Sequence, residues 1–171
     1  MLSEANNKEK EFGEAYEQYS DALFKFIAMR IKDRERAKDM LQDCFTRTWQ
    51  AIVDGKEVEN MRAFLYKVAR NLVIDEYRSH KSVSLDEMTE ETGYEVASRS
   101  GDNPSIGAEV GKIREALEKL PEEYREVVSM RYIDELMPVE ISEILGESAN
   151  AISVRINRGV VMLRETLQIE K

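Results

Sequence analysis

At 171 residues and 19.8 kDa the chain has room for one or two small domains, which excludes a large multidomain enzyme. Charged residues make up 35% and apolar residues 42%, enough for compact cores with little apolar surplus, and the net charge is −9. There is one histidine, His80, and one cysteine, Cys44, too few for a structural zinc site or a disulfide framework, so neither metal nor cofactor is expected. No stretch approaches the ~18 consecutive apolar residues of a membrane span. The start, Met1-Leu2-Ser3-Glu4, lacks the basic and apolar regions of a signal peptide. These features predict a reduced, cytoplasmic protein without membrane insertion.

The charge is unevenly spread. Residues 61–82 carry five basic and two acidic groups, whereas residues 83–111 carry one and seven. Residues 148–164 hold Arg155, Arg158 and Arg164 and no acid. An acidic chain with two short basic windows meets phosphate only at those windows.

In chain order, Phe12, Tyr16, Tyr19, Leu23, Phe26, Ile27 and Arg30 recur at three- and four-residue steps and predict an amphipathic helix. Ala37, Leu41, Cys44, Phe45, Thr48 and Ile52 predict a second, with Cys44 on its core side. Residues 54–60 have no period and contain Gly55, and read as a loop. Met61, Phe64, Leu65, Val68, Ala69 and Leu72 predict a third helix reaching about Arg78, with His80 solvated at its end. No alternating strand pattern with hairpin turns is present, so residues 1–81 read as a small helical bundle.

Residues 82–111 break the period with serines, threonines and glycines and are acidic, the composition of a flexible linker. Residues 112–171 resume it. Ile113, Leu117 and Leu120 lead to Pro121, a residue suited to a helix start, and Tyr124, Val127, Val128, Arg131 and Tyr132 follow. A short helix then begins at Pro138 and ends at Gly146. Ser148 is placed to cap a further helix whose buried stripe is Ile152, Ile156, Val160 and Leu163. Helix, glycine turn, capped helix is the helix-turn-helix pattern. The fold class is therefore all-α, two small helical domains joined by an acidic linker.

Three stretches, in register, resemble one family: AKDMLQDCFTRTWQAI at 37–52, AFLYKVARNLVIDEYR at 63–78, and LPEEYREVVSMRYIDELMPVEISEILGESANAISVRINR at 120–158. Together they are similar to the extracytoplasmic function (ECF) group of RNA polymerase sigma factors. The resemblance implies a non-enzymatic subunit that binds core RNA polymerase, through the clamp helices of its largest subunit and through its flap, and directs it to promoter DNA. It also implies an anti-sigma factor as a further partner.

Carried onto this chain, the resemblance places Asp39, Gln42, Asp43 and Gln50 on the polymerase-binding face. It places Asn60, Arg62, Tyr66, Lys67, Arg70, Asn71, Tyr77 and Arg78 at the −10 promoter element. Cations beside aromatic rings suit a separated strand, because phosphates meet the cations and unpaired bases stack on the rings. Ser148, Asn150, Ser153, Arg155, Asn157 and Arg158 fall at the −35 element, where arginine can read guanine and asparagine adenine. Two other readings remain open at this level: a sigma-like interaction protein that does not read promoters, and a dimeric helix-turn-helix regulator.

Overall fold

The computed structural model describes residues 2–31, 33–83 and 104–168. Among them lie seven helices and no strand. The chain divides into two compact units, the first holding α1 to α3 and the second α4 to α7.

The first unit consists of α1 (Leu2–Ala28), α2 (Arg34–Val53) and α3 (Met61–Val83), each packed on the other two. Helix α1 starts about three turns before its apolar stripe. Residues 7–11 are exposed, and the helix there is supported by pairs four apart, Asn7 Nδ2 donating to Glu11 Oε1 at 2.7 Å and Lys10 beside Glu14 at 3.9 Å. Asp33 caps α2, its carboxylate accepting from the N–H groups of Glu35 at 2.9 Å and Arg36 at 3.1 Å. At the other end Gly55, with φ at 92°, lets the chain turn back. The Lys56 N–H then reaches the Ala51 carbonyl at 2.9 Å and satisfies an orphan acceptor of the last turn.

The core between these helices holds Leu23, Phe26 and Ile27 from α1, Ala37, Met40, Cys44 and Phe45 from α2, and Leu65, Tyr66, Ala69 and Val73 from α3. Aromatic rings set the spacing: Phe26 meets Tyr66 edge-on at 5.1 Å, and Phe12 lies between Phe45 and Trp49 at 6.0 and 5.0 Å. Cys44 is sealed inside, its Sγ 3.4 Å from the Leu65 carbonyl, and burial pushes its thiol pKa up to about 12. It behaves as a small core side chain.

The second unit begins earlier than its sequence predicts. Helix α4 spans Pro104–Glu118, so residues 104–111, read as linker, are helical, as are residues 82 and 83 at the end of α3; the rest of that stretch, 84–103, lies outside the described residues. Helices α5 (Glu122–Tyr132), α6 (Pro138–Leu145) and α7 (Ala149–Thr166) follow. Leu117, Leu120 and Val128 form an apolar cluster with Val160, Met162 and Leu163, and Leu136, in the loop after α5, is fully buried. Ile113 and Tyr132, expected in the stripes, are 45% and 61% exposed. Gly159 is where α7 crosses α5: a Cβ there would stand 2.6 Å from Val128 Cγ2.

Candidate functional site

Each unit presents an outward helix face built behind a core stripe. On α2, the core takes Ala37, Met40, Cys44, Phe45, Thr48 and Ile52, which leaves Asp39, Gln42, Asp43 and Gln50 exposed on the far side. Gln50 donates through Nε2 to Asp54 Oδ1 at 2.8 Å, fixing it at the end of the helix. Arg47, not singled out from sequence, is exposed as well. The face is polar and of mixed sign.

Helix α3 is locked to α2 by a two-point fork. Arg36 Nε donates to Glu76 Oε1 at 2.9 Å and its terminal nitrogen to Oε2 at 2.6 Å. The Arg36 hydrogen bond holds the Glu76 carboxyl below its ordinary pKa, and Glu76 in turn raises the guanidinium's. His80 adds a contact from Nε2 to Glu76 Oε1 at 3.2 Å.

The outward side of α3 exposes Lys67, Asn71, Tyr77 and Arg78, with Arg62 and Arg70 half-buried. Three of the expected contacts have structural duties. Asn60 Oδ1 accepts the Ala63 N–H at 3.0 Å, the bond of a helix N-cap. Tyr77, 45% exposed, donates its hydroxyl to the Arg30 carbonyl. Tyr66 departs from expectation: it is 1% exposed, against Phe26, so its ring is core and not a displayed platform. Tyrosine's apolar body and polar tip let its sequence position read either way. Conversely Phe64, assigned to the stripe, is only half-buried, and Lys56 Nζ lies 4.8 Å from its ring centroid.

In the second unit, Met137 N–H donates to Glu140 Oε2 at 2.8 Å and steadies the start of α6. Gly146, with φ at 71°, ends α6 in the left-handed conformation, and Ser148 opens α7 by accepting the Ala151 N–H at 3.2 Å through Oγ. The hydroxyl of Ser148 is thus engaged in capping, and that of Ser153 donates to the Ala149 carbonyl at 2.9 Å. Ile152 and Ile156 face the core, which turns Asn150, Ala151, Val154, Asn157 and Arg158 to solvent. Arg155 sits between those two sides and is held by Glu147. Among the described residues no group of three His, Cys, Asp or Glu side chains could hold a metal, and no helix is long and apolar enough to cross a membrane.

Comparison with known proteins identifies the family of both units. Residues 15–83 match the family described as Sigma-70 region 2, and residues 111–163 that described as Sigma-70, region 4. The chain is 30% identical over 166 residues to the ECF RNA polymerase sigma factor SigW of Bacillus subtilis, covering 92% of this chain and 89% of that protein. The chain belongs to the ECF RNA polymerase sigma factors.

A second relative, the ECF RNA polymerase sigma factor SigL of Mycobacterium tuberculosis, is 29% identical over 154 residues, 90% of this sigma factor and 86% of its relative. The fold is shared with solved structures. The sigma factor RpoE of Bartonella quintana, solved with the anti-sigma factor NepR, superposes with a TM-score of 0.72 at 20% identity. That match covers 95% of this chain and 99% of that one. CnrH, solved with the cytosolic domain of CnrY, gives 0.65 at 22% identity over 95% and 91%. In this sigma factor the region 2 match takes in α2 and α3 whole, and the region 4 match takes in α5 and α6 and most of α7.

Proposed function

We propose that this sigma factor binds core RNA polymerase in the cytoplasm, directs it to promoters carrying −10 and −35 elements, and performs no catalysis. The first unit, α1 to α3, docks on the clamp helices through Asp39, Gln42, Asp43 and Gln50 and engages the −10 element through α3. There Lys67, Asn71 and Arg78, with the half-buried Arg62 and Arg70, meet the backbone and bases of the opening strand. The second unit, from Pro104 onward, reads the −35 element with the outward face of α7 through Asn150, Asn157 and Arg158. Ser153 lies beside that face. Ser148 and Asn60 act by capping the helices that carry these residues.

The observation that carries this reading is the placement of charge. In a chain of net charge −9, α7 has three arginines and no acid before Glu165, and it follows the glycine turn and serine cap that set it for a groove. Tyr132, Met137 and Val139 of the second unit are each more than half exposed and are the apolar side chains offered to the polymerase flap or an anti-sigma factor.

The test is transcription in vitro with purified core polymerase on a pool of random promoter fragments. Starts that arise only with this protein, and share two spaced elements, establish the reading. Co-elution with core polymerase but no such starts would make it an interaction protein; no such starts and no co-elution would point to a dimeric regulator.

A further inference from the structure

Arg155 lies on the second turn of α7, at the border between its core side and its outward face. Its Nη1 donates to Glu147 Oε1 at 3.0 Å and its Nη2 to Oε2 of the same carboxylate, eight residues earlier in the turn before the helix. The side chain is 25% accessible. Bonding to Glu147 is the first cause of a raised guanidinium pKa, and Glu123 and Glu126 of α5 add to the negative field. The three acids thus face Arg155 from the turn and from the helix packed beneath it.

A guanidinium reads guanine by presenting two parallel N–H groups to O6 and N7. Two parallel N–H groups of Arg155 are occupied by a carboxylate in the same fork geometry. With its Nη1–Nη2 edge taken by Glu147, Arg155 has only its Nε edge left for a second partner, so an end-on approach to guanine is blocked. Arg158, one turn on, is exposed and has no acid paired with it among the described residues.

The geometry points to Glu147 as a specificity-determining residue: it holds Arg155 out of the groove, so that α7 reads DNA without a guanine contact from that position. This rests on α7 being the DNA-reading helix, and it revises the base-reading role expected for Arg155. In this arrangement Arg155 is a positioning residue that ties the turn to the second turn of the helix.

The experiment uses the full chain with core polymerase and a promoter pool randomised over the upstream element. Arg155→Ala is expected to leave the base preference at every position as in the unsubstituted protein. Glu147→Gln is expected to gain a guanine preference at one position, on the order of tenfold, the discrimination of one bidentate arginine contact. The double variant should lose that gain, an outcome that a pair serving only stability would not produce. If Glu147→Gln melts below the assay temperature, Glu147→Ser frees the same guanidinium and takes its place. A wild-type guanine preference that Arg155→Ala abolishes, or a Glu147 variant with the wild-type profile, overturns the inference. Absence of promoter-specific starts with the unsubstituted protein is a different failure, since it removes the reading of α7 itself.

Discussion

Arg36 of α2 and Glu76 of α3 stand forty residues apart in sequence and share two hydrogen bonds, at 2.9 and 2.6 Å, across the interface of their helices. The Glu76 side chain is 14% accessible, while Arg36 keeps 44%. The pair therefore works at the edge of water, where such forks contribute about 1 kcal/mol. Because the folded carboxyl has a pKa below its ordinary 4.5, the contribution is fully present above that value and is lost as pH falls through the folded pKa. Glu76→Gln should lower the melting temperature at pH 7 by several degrees. The gap from wild type should narrow as melts are taken below pH 4.5 and close only once the pH is below the folded pKa.

The two tyrosines of α3 should part company under substitution. Tyr66 is packed edge-on against Phe26, so Tyr66→Ala opens a cavity and should destabilise the first unit by about 3–5 kcal/mol. Tyr77→Phe removes only a hydroxyl bonded to the Arg30 carbonyl, at about 1 kcal/mol. Denaturant melts of the protein alone measure both. Equal effects would mean that Tyr66 is not core.

Much of this was legible in the sequence, and the exceptions have physical causes. The α2 stripe follows from apolar spacing except at one step, where Met40 is buried and the expected Leu41 only half-buried, and the helix-turn-helix follows from Gly146 and Ser148, whose backbone duties few other residues perform. Tyr66 was misplaced because an amphipathic side chain carries no label for its tip. The early start of α4 was hidden by Pro104, Ser105 and Gly107, residues that are compatible with a helix start but look like linker. The Glu147–Arg155 fork depends on how the turn folds back over the helix. Spacing eight residues apart across a break in secondary structure predicts no contact.

Gly159 sets two effects against each other. Alanine is the better helix former by about 1 kcal/mol, but its Cβ would fall 2.6 Å from Val128 Cγ2, on a branched side chain with little freedom to move. Overpacking of that kind costs about 1–3 kcal/mol, so Gly159→Ala should destabilise the second unit on balance. A thermal melt that rises instead would show that α5 and α7 separate more easily than their contact implies.

Arg158 gives the contrasting case, exposed and away from the core. Arg158→Ala should leave the melting temperature within about a degree, since such surface changes lie within about 0.5 kcal/mol. Transcription from a dependent promoter should fall by about fivefold or more, with a shallower dependence on salt. An unchanged yield would mean that the residue does not touch DNA.

The inner stripe of α7, Ile152, Ile156 and Gly159, shares no residue with its outer face, Asn150, Val154, Asn157 and Arg158. Folding and promoter choice are thus written in separate letters along one helix. A gene duplicate can exchange the outer letters one at a time and stay folded at every step. New regulatory circuits can therefore arise from this scaffold by small changes, without a passage through unstable intermediates.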